Sequence, residues 1–204
     1  MCLLNDKIYT VDVELNPTSF RPGIAGTGGF MDPQMIVGYF GAKEGMNIAD
    51  FGSGAGYFTI LLAKIVGDGG VVTAVDIMDS ALETLKAKAG AEGLKNLQTV
   101  RSNLEAQRGS GLADESQDMV LLANILFQSD NKPAIITEAK RVLKPEGTLV
   151  IIDWKKGSLG FGPPDERRTD PRDMQKFATD GGFQLINPID AGTFHYGMIL
   201  KKIS

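Results

Sequence analysis

Ala49-Asp50-Phe51-Gly52-Ser53-Gly54-Ala55-Gly56-Tyr57-Phe58 joins an apolar run to a helical pattern, with three glycines and one carboxylate in the turn between them. In an open α/β sheet, ligands bind at such a place, where a strand ends and a helix begins. Glycines there let a ligand approach the backbone closely. Their spacing separates two kinds of ligand. A dinucleotide fingerprint reads G-x-G-x-x-G and seats a pyrophosphate on the helix N-terminus. Here the glycines fall at 52, 54 and 56, and Tyr57 stands where the third one would be. Asp50 would repel a pyrophosphate, whereas it is suited to accept charge-assisted hydrogen bonds from an α-ammonium group. The loop therefore points to a ligand that carries an amino acid, with Asp50, Gly52, Ser53, Gly54, Gly56 and Tyr57 as candidate contacts.

On both sides of this loop, short apolar runs alternate with helical patterns, the signature of a parallel α/β sheet. The strands read as Met46 to Phe51, Val71 to Asp76, Leu97 to Ser102, Met119 to Asn124 and Thr148 to Asp153. Nearly continuous apolar character suits strands covered on both faces. Helices are expected at Tyr57 to Val66, Ser80 to Ala91 and Pro133 to Val142, with Asp79 as a cap for the second and Pro145-Glu146-Gly147 ending the third. An earlier helix is expected from Asp32-Pro33 to near Gly41. After a loop at 155–171 and a helix to about Asp180, Phe183 to Ile189 and His195 to Ile203 flank a short turn and should pair antiparallel. The whole reads as a doubly wound mixed sheet ending in a hairpin.

The second strand ends Ala74-Val75-Asp76-Ile77. A carboxylate about twenty residues beyond the glycine loop is placed to take both hydroxyls of a ribose, so Asp76 implies adenosine and Ile77 a cover for one face of its base. Ser102-Asn103-Leu104 follows the third strand, where the other edge of the base would lie, and Asn103 is able both to donate and to accept. A helix cap or turn role is the alternative for Asp76, and a plain turn for Ser102-Asn103.

Composition limits the rest. With 43% hydrophobic and 23% charged residues the 204-residue chain is able to bury one core. Cys2 and His195 are the only cysteine and histidine, so no disulfide framework, Cys/His zinc cluster or other metal site is expected. The net charge of −4 disfavours a nucleic-acid or anionic-lipid partner. No apolar run approaches the roughly 20 residues of a membrane span, and the first residues lack a signal-peptide pattern, so a cytoplasmic location is expected.

Taken in order, DFGSGAGYF, AVDI, QDMVLLANILF and LKPEGTLVIIDW resemble the successive motifs of class I S-adenosylmethionine-dependent methyltransferases, most closely the small single-domain proteins of the ubiquinone/menaquinone-biosynthesis-like group. The resemblance spans about Asp32 to Ile203. It implies a Rossmann-like sheet of about seven strands with the last antiparallel, and S-adenosylmethionine as cofactor with S-adenosylhomocysteine as product. It further implies Asp50 and the glycines around the methionine part, Asp76 on the ribose and Asn124 near the cofactor. The fourth strand ends ANILFQ in place of the Asn/Asp-Pro-Pro-aromatic sequence of many amino-group methyltransferases, which argues against extruded-base chemistry.

A small-molecule acceptor is expected beyond the carboxyl ends of the strands, where Phe127, Trp154 and Lys155 are candidate contacts and His195, on a strand running the other way, is a candidate general base. Residues 1–31 form a separate leader, with Asn16 to Met31 a candidate lid, and 32–204 the single domain. FGPPDERR, residues 161–168, reads as acceptor wall or stiff exposed turn. The alternatives are an RNA or protein acceptor (the fold also hosts fibrillarin-like enzymes), a cofactor-binding protein without turnover, and an NAD-dependent oxidoreductase, which the glycine spacing opposes.

Overall fold

A computed structural model describes residues 31–157 and 160–203. Seven strands, β1 (Asn47–Phe51), β2 (Val71–Asp76), β3 (Leu97–Arg101), β4 (Gln117–Ala123), β5 (Leu143–Trp154), β6 (Phe183–Asp190) and β7 (His195–Lys202), form one sheet in the order β3-β2-β1-β4-β5-β7-β6. The first five pair in parallel and β7 runs antiparallel to both its neighbours. Strand order reverses between β1 and β4. That switch point opens a crevice at the carboxyl edge of the sheet, where the two outgoing chains turn away from each other. Gly52 leaves β1 there and Asn124 leaves β4.

Alternate residues of each strand feed two apolar layers, the consequence of a side-chain period of two. Ala49, Phe51, Val120, Leu122 and Ile151 pack beneath α4 (Lys132–Val142) and α5 (Pro171–Asp180). Ile48, Met119, Leu121, Val150 and Ile152 pack beneath α1 (Pro33–Ile36) and α2 (Thr59–Val66). Helix α3 (Asp79–Ala91) seals the β2 end of the second layer through Leu82, Leu85 and Ala89. In the antiparallel register His195 stands beside Trp154 and Tyr196 beside Asp153, so the start of β7 reaches the same edge as the end of β5.

Helix boundaries depart from the sequence reading at several points: the first helix divides into α1 and a 3-10 turn, Val37–Tyr39, and Pro145-Glu146-Gly147 lies inside β5, beyond the end of α4 at Val142. Tyr57 and Phe58 belong to the turn, and α2 begins at Thr59. Asp79 does not cap α3. The cap is Met78, whose amide is taken by Asp76, and Asp79 enters the first turn and pairs with Arg101. Asp32 and Asn131 do cap their helices, accepting from Gln34 and Ala134, each with a proline in the first turn. Leader residues 1–30, and with them nearly all of the lid segment, lie outside the described residues. Among the described residues no helix is long and apolar enough to cross a membrane, and no cluster of three or more His, Cys, Asp or Glu side chains is placed to hold a metal ion.

Residues 102–116, which follow β3, are fastened to α4 by a buried charged knot. Glu138, 4% exposed, accepts from the amide and hydroxyl of Ser110 and from the guanidinium of Arg141, which also reaches Asp114. Removing one member of such a knot strands the others in a poorly solvated place. Glu138→Ala should therefore lower stability by roughly 3 kcal/mol, measured by urea unfolding; a loss below about 0.5 kcal/mol, the range of ordinary surface changes, would show that the knot does not hold this segment.

Candidate active site

Two cavities open at the switch point and share Gly52. The first, about 420 Å³, is lined by Met31, Asp50, Gly52, Ser53, Tyr57, Phe58, Ala123, Asn124, Trp154 and His195. The second, about 370 Å³, lies between the ends of β1, β2, β3 and β4, with Gly52, Gly54, Asp76, Ile77, Ser102, Asn103 and Leu104 on its walls. Each is the size of a small-ligand site. Joined at a glycine, they suit one elongated ligand with chemically different ends.

The glycine loop is shaped by its surroundings as well as by its own residues. Gly52 has φ +75°, and a Cβ there would run into Ile125, so glycine alone fits both the backbone and the space. Its amide and that of Ser53 donate to the Val75 carbonyl at 2.7 and 3.2 Å. Asp76 takes the Gly54 amide on one oxygen (2.8 Å) and the Met78 amide on the other (2.9 Å). The turn role weighed for Asp76 is thus present, yet each carboxylate oxygen keeps a second lone pair for an outside hydroxyl. Leu85 packs where a Cβ on Gly56 would stand, so that glycine serves helix packing more than ligand approach.

Asp50 is 2% exposed and receives the Thr59 hydroxyl at 2.6 Å; among the described residues no cation stands among the influences on it. In the same cavity, Ser53 Oγ and Asn124 Oδ1 are buried without a partner among the described residues. Native interiors pair nearly all such atoms. A carboxylate without a cation beside unfilled hydrogen-bonding groups matches the ammonium and carboxylate of an amino acid, which is the fit the cofactor requires. Asn124 holds φ +55°, a conformation asparagine tolerates better than most residues, while its carbonyl takes Gln128 Nε2 at 3.0 Å.

In the second cavity Ser102 donates to the Gly109 carbonyl, and Asn103 Oδ1 accepts from Glu105 N at 3.0 Å. Both residues therefore shape the turn as well as lining the cavity. Met78, Glu105, Ile125, Gln128, Ser129 and Ile135 also line it, and the sequence reading missed them. Glu105 and Ser129 are linked at 2.6 Å across 24 residues; no local motif marks that contact.

The acceptor candidates divide. Trp154 and His195 wall the first cavity, their rings 4.1 Å apart. Phe127 and Lys155 line neither cavity. Phe127 sits in a 3-10 turn, Leu126–Gln128, that sends its neighbours Ile125 and Gln128 to the cofactor side. Lys155 is half-buried and donates to the Gly192 carbonyl at 2.7 Å, instead of lying in solvent. His195 is 3% exposed, with both ring nitrogens unpartnered among the described residues. Burial, reinforced by Lys155 and Arg168, drops its pKa to about 4. So weak a base is a poor proton sink at neutral pH. The ring instead offers the cavity one donor and one acceptor.

Burial raises the Asp50 pKa from 3.8 to about 6, against the opposing bond from Thr59. Between those values the folded chain holds a proton that the unfolded chain has released, so this group makes stability fall as pH rises from about 4 to 6. Asp50→Asn removes the cost. We expect the unliganded variant to exceed the parent by about 1–3 kcal/mol at pH 7, with no difference below pH 4, in paired denaturant titrations. Equal stability at both pH values would contradict the buried, unpaired state of Asp50.

A family profile described as "Methyltransferase domain" matches residues 42–177. The chain is similar to the ubiquinone/menaquinone biosynthesis C-methyltransferase UbiE of Shewanella pealeana, 36% identical over 117 residues, 57% of this chain and 45% of that protein. It thus spans less than half the length of the curated relatives it matches. Among solved structures it is similar to a SAM-dependent methyltransferase from Aquifex aeolicus, at 30% identity and a TM-score of 0.78 over 86% of this chain and 92% of that one. An arsenic(III) S-adenosylmethionine methyltransferase from Chlamydomonas reinhardtii, at 21% identity and TM-score 0.64 over 80% and 65% of the two chains, shares the fold. With a profile match over most of its length and a relative covered almost end to end, the chain belongs to the methyltransferase-domain family, among the class I S-adenosylmethionine-dependent methyltransferases similar to UbiE.

Proposed function

We propose that the chain binds S-adenosylmethionine across the two cavities and methylates a small molecule held against Asn124, Trp154 and His195. The observation that carries this reading is the meeting of the cavities at Gly52, one containing an acid without a cation and the other Asp76. Asp50, with Ser53 and Asn124, would hold the amino-acid end, and Asp76 the ribose. Ile77 and Leu104 would enclose the base, joined by Ile125 and Glu105. When bound, the cofactor supplies a methyl group already activated on a sulfonium. The protein's task is then to hold the acceptor in line, and geometry of that kind alone accounts for large rate gains. Trp154 and Phe58 exclude water from the first cavity, and neutral His195 orients a protic group of the acceptor.

UbiE's name refers to C-methylation in ubiquinone and menaquinone biosynthesis. That supports a small-molecule acceptor methylated at carbon; residues 32–204 as the methyltransferase domain and a cytoplasmic location are part of the same proposal. An NAD-dependent reaction is opposed by buried Asp50 at the point where a pyrophosphate would pass.

Two variants separate the roles. Asp76→Ala should weaken S-adenosylhomocysteine binding by about 1–3 kcal/mol; unchanged affinity would remove Asp76 from the ribose. His195→Ala should lower turnover with cofactor affinity nearly intact, and equal activity would make the ring structural. The reaction itself is tested by tritiated-methyl transfer against quinol, small-acid, RNA and protein pools. Label in a small-molecule pool is the expected result. Label confined to RNA or protein, or none anywhere, would overturn the acceptor class or the turnover.

A further inference from the structure

The residues behind Trp154 form a structure of their own. Arg168 is only 6% exposed, although it ends a segment whose sequence, FGPPDERR, is polar. Its guanidinium donates to the Pro163 carbonyl (2.9 Å), the Lys155 carbonyl (3.0 Å) and the Phe161 carbonyl. It also lies over the Trp154 ring, 5.6 Å from the centroid, a cation–π arrangement. From the same loop, Gly162 at φ +80° comes so close to the indole that a Cβ there would collide with it. Phe161 meets Phe194, the residue before His195, with ring centroids 5.4 Å apart. The loop is therefore fastened at both ends of the cavity wall through Trp154 and Phe194, while most of its own residues stay exposed, as in the stiff turn weighed from sequence.

We infer that Arg168 is a positioning residue of the acceptor cavity, clasping the 160–168 loop onto Trp154 so that the indole and His195 stand as one fixed wall. The inference rests on the reading of that cavity as the acceptor site. A planar fork that satisfies several carbonyls at once while stacking on an aromatic ring is a task for arginine, and lysine does not reproduce it. The same cation acts on His195. Lys155, from the end of β5, and Arg168 both disfavour the imidazolium. Asp50 and Tyr57 share the ring's cavity from the β1 side, and Asp190 at the end of β6 acts on Lys155. Asp153 and Tyr196, one position along each strand, take the opposite face of the sheet. Arg168 thus holds the wall in place, and it adds the smallest of three effects, after burial and Lys155, that keep the imidazole neutral.

Trp154 is the only tryptophan in the chain, so indole emission reports on this wall alone. The full chain would be compared with Arg168→Met, Arg168→Lys and Gly162→Ala, each checked for a native far-UV spectrum and a cooperative melt. In all three, Trp154 emission should shift to the red and acrylamide quenching should increase. The pH midpoint of emission, assigned to His195 by its loss in His195→Gln, should rise slightly in Arg168→Met and by less in Arg168→Lys, which keeps a charge. S-adenosylhomocysteine affinity should stay close to that of the parent. Folded Arg168 variants with parental emission, quenching and midpoint would overturn the inference, as would loss of cofactor affinity in step with the emission change. If Arg168→Met does not fold, Gly162→Ala decides, because it leaves the guanidinium in place, and parental emission there overturns the clasp. Failure of the parent to bind S-adenosylhomocysteine would sink the proposed function and leave the clasp to be judged by Trp154.

Discussion

The carboxylate of Asp76 takes one amide from the glycine loop and another from the start of α3, at 2.8 and 2.9 Å. The ends of β1 and β2, adjacent in the sheet, are thereby held at one setting. Around this bond the loop must turn at Gly52, in a conformation and a space that exclude a side chain. Ile125, arriving from β4, fills the room that a Cβ would need. Three strand ends are thus mutually constrained, and the two cavities are the space left between them. A functional site built on such ends is more rigid than one built on loops alone, because each contact is supported by the sheet behind it.

Asp50 illustrates the energetic cost of this arrangement. An acid buried on a core strand without a cation weakens the empty protein at neutral pH. The unpartnered atoms of Ser53, Asn124 and His195 gather around the same cavity. Among the described residues Asp153 Oδ2 and Tyr196 Oη are also buried without a partner, on the other face of the sheet, whereas the buried Glu138 is engaged by Ser110 and Arg141. Three residues with unmet groups line the first cavity, which is therefore better described as half of an interaction than as a gap in packing.

Much of this was legible in the sequence. The G-x-G-x-G spacing, the acid before it and the acid one strand later are local features with a direct chemical meaning, and the hairpin follows from two apolar runs about a short turn. What escaped was set by long-range contact or by small rotations. Glu105 and Ser129 meet across separate loops, so neither neighbourhood shows the contact. Phe127 lines neither cavity, because one short helical turn presents Ile125 and Gln128 to the second cavity and not the two residues between them. The burial of Arg168 depends on three carbonyls that converge only after the loop folds back, so the polar run FGPPDERR does not show it. The histidine's position was readable from strand direction. Its weak basicity was not, since that comes from burial and two neighbouring cations.

The central claim is that one ligand with an amino-acid end and an adenosine end spans Gly52. Calorimetric titration of the full chain with S-adenosylhomocysteine, and in parallel with adenosine and with NAD, tests it most directly. The account predicts that S-adenosylhomocysteine binds more tightly than adenosine and that NAD gives no heat. Heat from NAD with none from S-adenosylhomocysteine, or equal affinity for S-adenosylhomocysteine and adenosine, would contradict it.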